Sequence, residues 1–484
     1  MNDLQSSLEL SRFTNELRDY LSLARPKGSH KPLHQEDVQC IILSKLPLKE
    51  AVRTSVLSSK WRNLWTICPK LRFDGTVMFG KKMNGKQREQ YARQFIDTVN
   101  VVLHQCHGKV VEELVIKFNF DSLLIDHLNN WVRFAASSHT KSLSFDLTPR
   151  GLEVFGDPQY IFPFKLFDSR CISHLQLHFV SIKLPTQFCG FPKLRKLDLR
   201  NVKVSAKELE YMLSNCSSLE WFSIAFCNMN GELKVQSPLP RLLCLNVSCC
   251  ELTEMEFHAV KLRTFVYEGS AVPINLTEVS ELKNANIIFT ESTIGNAIPA
   301  LANALTNVQN LTLNIYVHPP EVPCLIENPS IFSHLKHLQL LLCYNMDVDN
   351  LSLVSFLGTA LFIEKLEIHF SSVFGFYLMK GTFFLRNLMK GTSIRRLKRT
   401  YNYLKDVCIT GFQASSGQIE FLVHIVENTP ALEVLTVDPL DRLMKGEPLL
   451  VIEREVDFID GAYRIVREYI EKNVSPKYSV RLLL

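Results

Sequence analysis

Residues 191–202 read FPKLRKLDLRNV. Leu194, Leu197 and Leu199 make a unit: an apolar residue, two others, an apolar residue, one other, and a final apolar residue. The last two lie two apart, so on an extended chain they share one face while Asp198 points to the other. The same unit recurs as Val111-Leu114-Ile116, the partial Leu143-Phe145, Ile172-Leu175-Leu177, Leu219-Phe222-Ile224, Leu242-Leu245-Val247 and Leu262-Phe265-Tyr267. The weak Leu282-Ala285-Ile287, then Val308-Leu311-Leu313, Leu335-Leu338-Leu340, Ile363-Leu366-Ile368, Leu404-Val407-Ile409 and Leu432-Leu435-Val437, bring the set to thirteen copies. Most centres stand between twenty and thirty residues apart, and the widest interval is about forty. Self-similarity at such a period marks a solenoid. One strand of this kind cannot hide its apolar face, whereas stacked copies bury it against each other. The pattern predicts an α/β fold, a curved parallel sheet with helices or loops returning on the convex side. Leu197, Leu245, Leu311 and Leu366 are expected to point into the core.

Upstream, residues 33–71 read LHQEDVQCIILSKLPLKEAVRTSVLSSKWRNLWTICPKL. Three short helical stripes follow one another: Val38, Ile41, Ile42; then Leu48, Ala51, Val52, Val56; then Trp61, Leu64, Trp65. Pro47 suits the first turn of the second helix, where its missing N–H costs nothing. Ser58 and Ser59 suit the cap of the third. Some forty residues cannot bury this many apolar groups alone. Leu46, Pro47, Leu48, Leu57 and Trp61 are surplus, and a partner surface is the natural place for them.

These residues resemble the F-box, most of all its plant form, along Leu46 to Trp65, LPLKEAVRTSVLSSKWRNLW. The resemblance implies a module that docks a Skp-type adaptor and through it a cullin-based ubiquitin ligase. The adaptor-facing residues it implies are Leu33, Ile42, Leu46, Pro47, Leu48, Val52, Leu57 and Trp61, with Trp65 packed inside. Leu33 is followed by His34, where the family usually carries proline. The downstream units resemble irregular leucine-rich repeats, with Asn201 and Cys227-Asn228 nearest to the asparagine of regular versions. Gly411-Phe412, Gly417-Gln418-Ile419-Glu420, Ile425 to Pro430 and Leu432 to Leu435 resemble the FBD-type region of plant F-box proteins. The expected layout is a flexible tail over 1–32, the F-box over 33–75 and a connecting helical segment over 76–110. Irregular repeats over 111–403 and an FBD-type region over 404–484 complete it. The implied role is substrate receptor of a ubiquitin ligase, its repeats holding a protein substrate still unknown. A hormone-like sensor of the same build, or an adaptor-bound scaffold that ubiquitylates nothing, are the alternatives. Arg195, Lys196 and Arg200 read as scattered charge, too little for a basic ligand pocket.

Composition agrees with a folded chain of several domains: 484 residues, 46% apolar and 21% charged. A net charge of +5 is small for this length and argues for neither nucleic acid nor a membrane surface. No apolar run approaches the twenty or so residues that span a bilayer, and MNDLQSSLEL lacks the basic-then-apolar order of a secretory signal. Thirteen scattered cysteines without C-x-x-C suggest free thiols and a place in the nucleus and/or cytoplasm. Cys249 and Cys250 are expected to point to opposite faces of a strand.

Chemistry-bearing motifs are sparse. Gly75 to Lys82 nearly matches a phosphate-binding loop, but Lys82 stands where a hydroxyl is needed. His174 and His178, four apart on a strand, lie about 13 Å from each other, too far to share a zinc ion. His104 with His107, and His334 with His337, lack a second ligand pair. No catalytic residue, cofactor or metal is expected. Tyr91 to Val102, Gln418 to Glu427 and Ala462 to Lys472 read as helices, and Tyr478 to Leu484 as a closing strand. Arg395 to Arg399 is a compact basic run, read as a solvated face. Leu-Met-Lys-Gly-Thr occurs at 378–382 and again at 388–392, without a functional reading.

Overall fold

The computed structural model describes residues 69–75, 85–106, 108, 110–119, 124–149, 159–166, 171–290, 292, 294–317, 332–344, 350–371, 399–412, 416–438 and 479–482. All but Pro69 belong to the compact unit Lys70–Leu484. The F-box stretch up to residue 68, the tail before it, Arg395 to Lys398, both Leu-Met-Lys-Gly-Thr copies and the expected helix Ala462 to Lys472 lie outside the described residues.

Fifteen strands form one sheet in chain order. They are β1 (Lys70–Asp74), β2 (Glu113–Lys117), β3 (Ser142–Asp146), β4 (His174–His178) and β5 (Lys196–Arg200). Then follow β6 (Trp221–Ala225), β7 (Cys244–Ser248), β8 (Thr264–Gly269), β9 (Asn284–Phe289) and β10 (Asn310–Val317). The last five are β11 (His337–Tyr344), β12 (Lys365–Ser371), β13 (Asp406–Thr410), β14 (Val434–Asp438) and β15 (Ser479–Leu482). Every neighbouring pair is parallel, and the register aligns like positions, as in Leu197 with Phe222 and Leu199 with Ile224. Leu197, Leu245 and Leu366 are 0% exposed and Leu311 is 2%, as the period-two pattern requires.

All thirteen units are strands, including the partial and weak ones. In the partial unit the first apolar place is taken by Thr140, which is buried with its hydroxyl unpartnered. The sheet also begins earlier than the units counted from sequence, because Leu71 and Phe73 of β1 align with Leu114 and Ile116. β15 pairs with β14, so the closing strand extends the same sheet.

The spacing of the unit has a backbone cause. The residue after the first apolar position donates its N–H to the equivalent carbonyl one repeat earlier. Lys141 donates to Glu112, Glu220 to Arg195, Arg263 to Leu243 and Lys405 to Glu364, at 2.8 to 3.0 Å. The first apolar residue therefore packs below the ladder, and the next two fill the sheet itself.

Five of the strands, β4 to β7 and β13, end in a sharp bend. Phe179, Asn201, Phe226, Cys249 and Gly411 all stand one residue after their strands with φ between 50° and 65°. Bulky residues avoid this left-handed region, so something must hold them there. The N–H groups of the first four bond to carbonyls of the next repeat, as Phe226 does to Ser248 at 2.9 Å. The residue after each bend, Val180, Val202, Cys227, Cys250 or Phe412, is then buried. Cys249 and Cys250 thus sit in a bend rather than on a strand, because the left-handed residue ends the pleat before the second cysteine. Both are free thiols, with Cys250 buried and Cys249 half-buried.

The returning layer has two characters. Helices return at the flanks: α1 (Gly85–Gln105), α2 (Ile125–Ser137), α3 (Ala206–Ser214), α4 (Ile294–Leu301), α5 (Asn350–Leu357) and α6 (Ser416–Asn428). α1 and α6 extend the expected helices Tyr91 to Val102 and Gln418 to Glu427. In α1, Phe95, Val99 and Val102 are buried; Phe95 stacks on Phe118 at 4.3 Å. α3 opens with a capping box between Ser205 and Glu208. Between α3 and α4 the return is neither helix nor loop. Asn228–Val235, Glu251–His258 and Ile274–Thr277 form a second parallel sheet behind the first. Its Phe257 packs against Phe222 of β6 across the core, ring centres 6.4 Å apart.

Candidate protein-binding surfaces

The alternation that buries two residues of each unit turns three others outward. The outward rows are the positions before, between and after the two buried ones. On β5 these are Lys196, Asp198 and Arg200, and on β9 Asn284, Asn286 and Ile288. Because the strands are in register, like positions stand side by side across the face.

The first strands carry charge on this face. Arg72 Nη2 lies 2.8 Å from Glu113, and Lys117 Nζ lies 3.9 Å from Asp74 and 4.0 Å from Asp146. His178 stands between Asp146, 3.7 Å from its Nδ1, and Asp198, 3.8 Å from its Nε2. Burial of the ring pulls its pKa down, but hydrogen bonds and charge from the two carboxylates outweigh this and raise it to about 8. Burial also pushes Asp146 up, and hydrogen bonds from His178 and Thr148 with the His178 charge bring it down to about 2. Ser144 donates to Gln176 at 2.9 Å, and Gln176 donates to Asp198 at 3.3 Å.

The middle of the face is nearly uncharged: Asn246, Val266, Asn286 and Thr312 on its central row, with Asn310 donating to Asn284 at 2.9 Å. Charge returns on β11 and β12. Glu367 accepts from Lys365 at 2.6 Å and lies 3.1 Å from His337 Nε2. Burial raises its pKa, and Lys365 with the neighbouring histidines lowers it further than burial lifts it.

Among the described residues, no group of three or more His, Cys, Asp or Glu side chains is arranged to hold a metal ion. His174 contacts Ser173 at 2.9 Å, at the far end of β4 from His178. The eight adaptor-facing residues inferred from sequence, Leu33, Ile42, Leu46, Pro47, Leu48, Val52, Leu57 and Trp61, all lie outside the described residues. The outward polar residues were not singled out from sequence, although their signal was present as the positions between the apolar ones. Arg195, Lys196 and Arg200 are not simply scattered. Arg195 pairs with Glu220 below the sheet at 2.8 Å, while Lys196 and Arg200 share the open face.

Comparison with known proteins agrees with this architecture. The family described as At1g61320/AtMIF1, LRR domain, matches residues 102–483, and the F-box domain matches residues 35–73. The chain is 28% identical over 329 residues to the putative F-box/FBD/LRR-repeat protein At5g62970 of Arabidopsis thaliana, across 61% of this chain and 69% of that protein. It is 28% identical over 312 residues to the FBD-associated F-box protein At5g60610 of the same plant, across 62% and 73%. With the putative FBD-associated F-box protein At5g56690, also of Arabidopsis thaliana, identity is 30% over 190 residues, across 39% and 45%. The repeats, the parallel sheet and both domain matches place the chain in the At1g61320/AtMIF1-type leucine-rich-repeat family: it is a plant F-box/leucine-rich-repeat protein with FBD-type relatives.

Proposed function

We propose that this chain is the substrate-recognition subunit of a Skp–cullin–F-box ubiquitin ligase. F-box domains generally bind Skp1-type adaptors, and the match over 35–73 spans all the inferred anchors but Leu33. The observation that carries the reading is the pairing of this module with a sheet whose outward rows are polar and accessible over most of β1 to β11 and are covered only toward His369, Thr410 and Asp438. One end docks the adaptor, the repeats hold a protein substrate, and the chemistry of ubiquitin transfer belongs to other subunits. The proposed compartment is the nucleus and/or cytoplasm, supported by the free thiols.

The test is calorimetric titration of the full chain with a Skp-type adaptor. Binding energy concentrates in a few apolar anchors, and losing one costs about 2 kcal/mol, about thirtyfold in affinity. Pro47→Ala with Leu48→Ala is expected to abolish adaptor binding with an unchanged circular dichroism spectrum. His34→Pro is expected to tighten it slightly. Folded wild-type protein that binds no such adaptor overturns the ligase role. Adaptor binding without any protein accumulating when the chain is deleted points instead to a scaffold.

A further inference from the structure

On the three outward rows, among the described side chains, every lysine and arginine but two lies within 4.0 Å of a carboxylate. The exceptions are Lys196 and Arg200, both exposed, at the first and last positions of β5. Each is seated on an aromatic ring of the next repeat. Lys196 Nζ stands 4.3 Å from the ring centre of Trp221. The Arg200 guanidinium stands 5.1 Å from that of Phe226. Phe226 owes its position to the left-handed bend after β6, which leaves it 40% exposed.

A ring face attracts a cation without neutralising it. A carboxylate partner would consume both charge and N–H donors, whereas an aromatic seat positions the cation and leaves its donors free for an anion. The seat also restricts two long side chains in advance, which lowers the entropy cost of engaging a ligand. Asp198 lies between them on the same strand and face. Its carboxylate is turned to Gln176, at 3.3 Å, and to the His178 ring, at 3.8 Å, and a protonated His178 offsets it.

We propose that Lys196 and Arg200 anchor an acidic peptide segment of the partner protein, extended along β5 with two carboxylates four residues apart. The inference rests on reading the open face as the partner-holding surface. The spacing sets the chemistry. Four residues of strand separate their Cα atoms by about 13 Å, a spacing that an extended segment reproduces with every fourth residue acidic. A compact phosphate group needs its donors converged on one point, and here they stand a strand length apart with a carboxylate between them.

The test uses the full chain and a fluorescein-labelled fifteen-residue Ser/Thr/Val peptide carrying two glutamates four apart, followed by anisotropy at low salt. Saturable binding is expected, weakening as salt rises. Lys196→Ala with Arg200→Ala should weaken it about tenfold. Lys196→Arg should retain it. A control peptide with adjacent glutamates should bind several-fold more weakly. Lys196→Gln with Arg200→Gln replaces the alanine pair if the latter alters the circular dichroism spectrum. No saturable binding, equal binding by the double variant, indifference to glutamate spacing, or capture of inorganic tripolyphosphate alone each overturns the proposal. Adaptor titration of the same samples separates the two ideas. Peptide failure with adaptor binding intact sinks only this inference, and adaptor failure with peptide binding intact sinks only the ligase role.

Discussion

The middle of the array and its flanks share one sheet but differ in what lies behind it. From β6 to β9 the chain returns through strands, whereas around α2, α3, α4, α5 and α6 it returns through helices. In eight of the intervals the difference follows repeat length, whereas Leu143 to Leu175, 32 residues apart, carries the short strand Tyr160–Ile161 and a 3-10 turn at Phe164–Leu166. The centres Phe222, Leu245, Phe265 and Ala285 stand 23, 20 and 20 residues apart, and each interval carries an extended return. Leu114 to Leu143, Leu197 to Phe222, Ala285 to Leu311, Leu338 to Leu366 and Val407 to Leu435 span 29, 25, 26, 28 and 28 residues, and each carries a helix. A strand advances about 3.3 Å per residue and a helix 1.5 Å. A short connection covers the height of the front strand only if it is extended, and a longer one covers it with residues to spare for a helix. The front face differs in parallel, charged at the flanks and amide-rich in the middle.

This contrast is open to direct attack. Phe257→Ala removes a fully buried ring that ties the second sheet to β6, and a cost of about 3 to 5 kcal/mol is expected. Hydrogen exchange should show β6 to β8 loosening while β12 to β14 stay protected. Equal loosening of the flanks would show that the second sheet is not a local unit. Gly411→Ala probes the bends. Phe179, Asn201, Phe226 and Cys249 carry side chains at that place, but at Gly411 a Cβ would strike the carbonyl of Phe370. A loss of about 2 kcal/mol or more is expected by thermal unfolding, and an unchanged melting temperature would refute the clash.

The charged front of the N-terminal flank predicts a local pH response. The folded pKa of His178 is about 8 against an ordinary value of 6.5, so its contribution is fully present below pH 6.5 and is lost as pH rises through 8. The size is about 2 kcal/mol. Asp146, lowered from 3.8 to about 2, is the other side of the same interaction, lost as pH falls through that range. Stability of β3 to β5 should therefore fall between pH 6.5 and 8 in exchange measurements while β7 to β9 hold, and His178→Gln should flatten the difference. Ser205→Ala removes the α3 cap and should cost about 1 kcal/mol, read as a lower melting temperature with slight loss of helix signal. Thr140→Val replaces a buried, unpartnered hydroxyl with an isosteric methyl. A gain of up to about 1 kcal/mol is expected, and a lower melting temperature would mean that the hydroxyl has a partner after all.

The strands were legible because period-two burial needs nothing beyond the chain itself: Leu197 and Leu199 face inward whatever follows them. Asn201 stood out at its bend as the family's asparagine position, yet Phe179 and Phe226 in equivalent bends were not legible. Large side chains disfavour positive φ locally, and only hydrogen bonds from the next repeat hold them there. β1 escaped notice because Leu71 and Phe73 lie at the end of the stretch read as the F-box, over 33–75, and reveal themselves as a repeat only by pairing with β2. His178 looked like half of a failed zinc pair, because Asp146 and Asp198 come from strands some twenty to thirty residues away. Lys196 and Arg200 read as isolated charges for the same reason, since Trp221 and Phe226 belong to the following repeat.

By itself the sequence determined the parallel sheet, the inward leucines and the domain match at the N-terminal side, all of which depend on spacing within a few neighbouring residues. Only the tertiary structure decided the second sheet behind the middle repeats, the bend at Cys249 and the partners of the outward charges. Those depend on which residues stacking brings side by side from repeats twenty or more positions apart, and no local pattern encodes that adjacency.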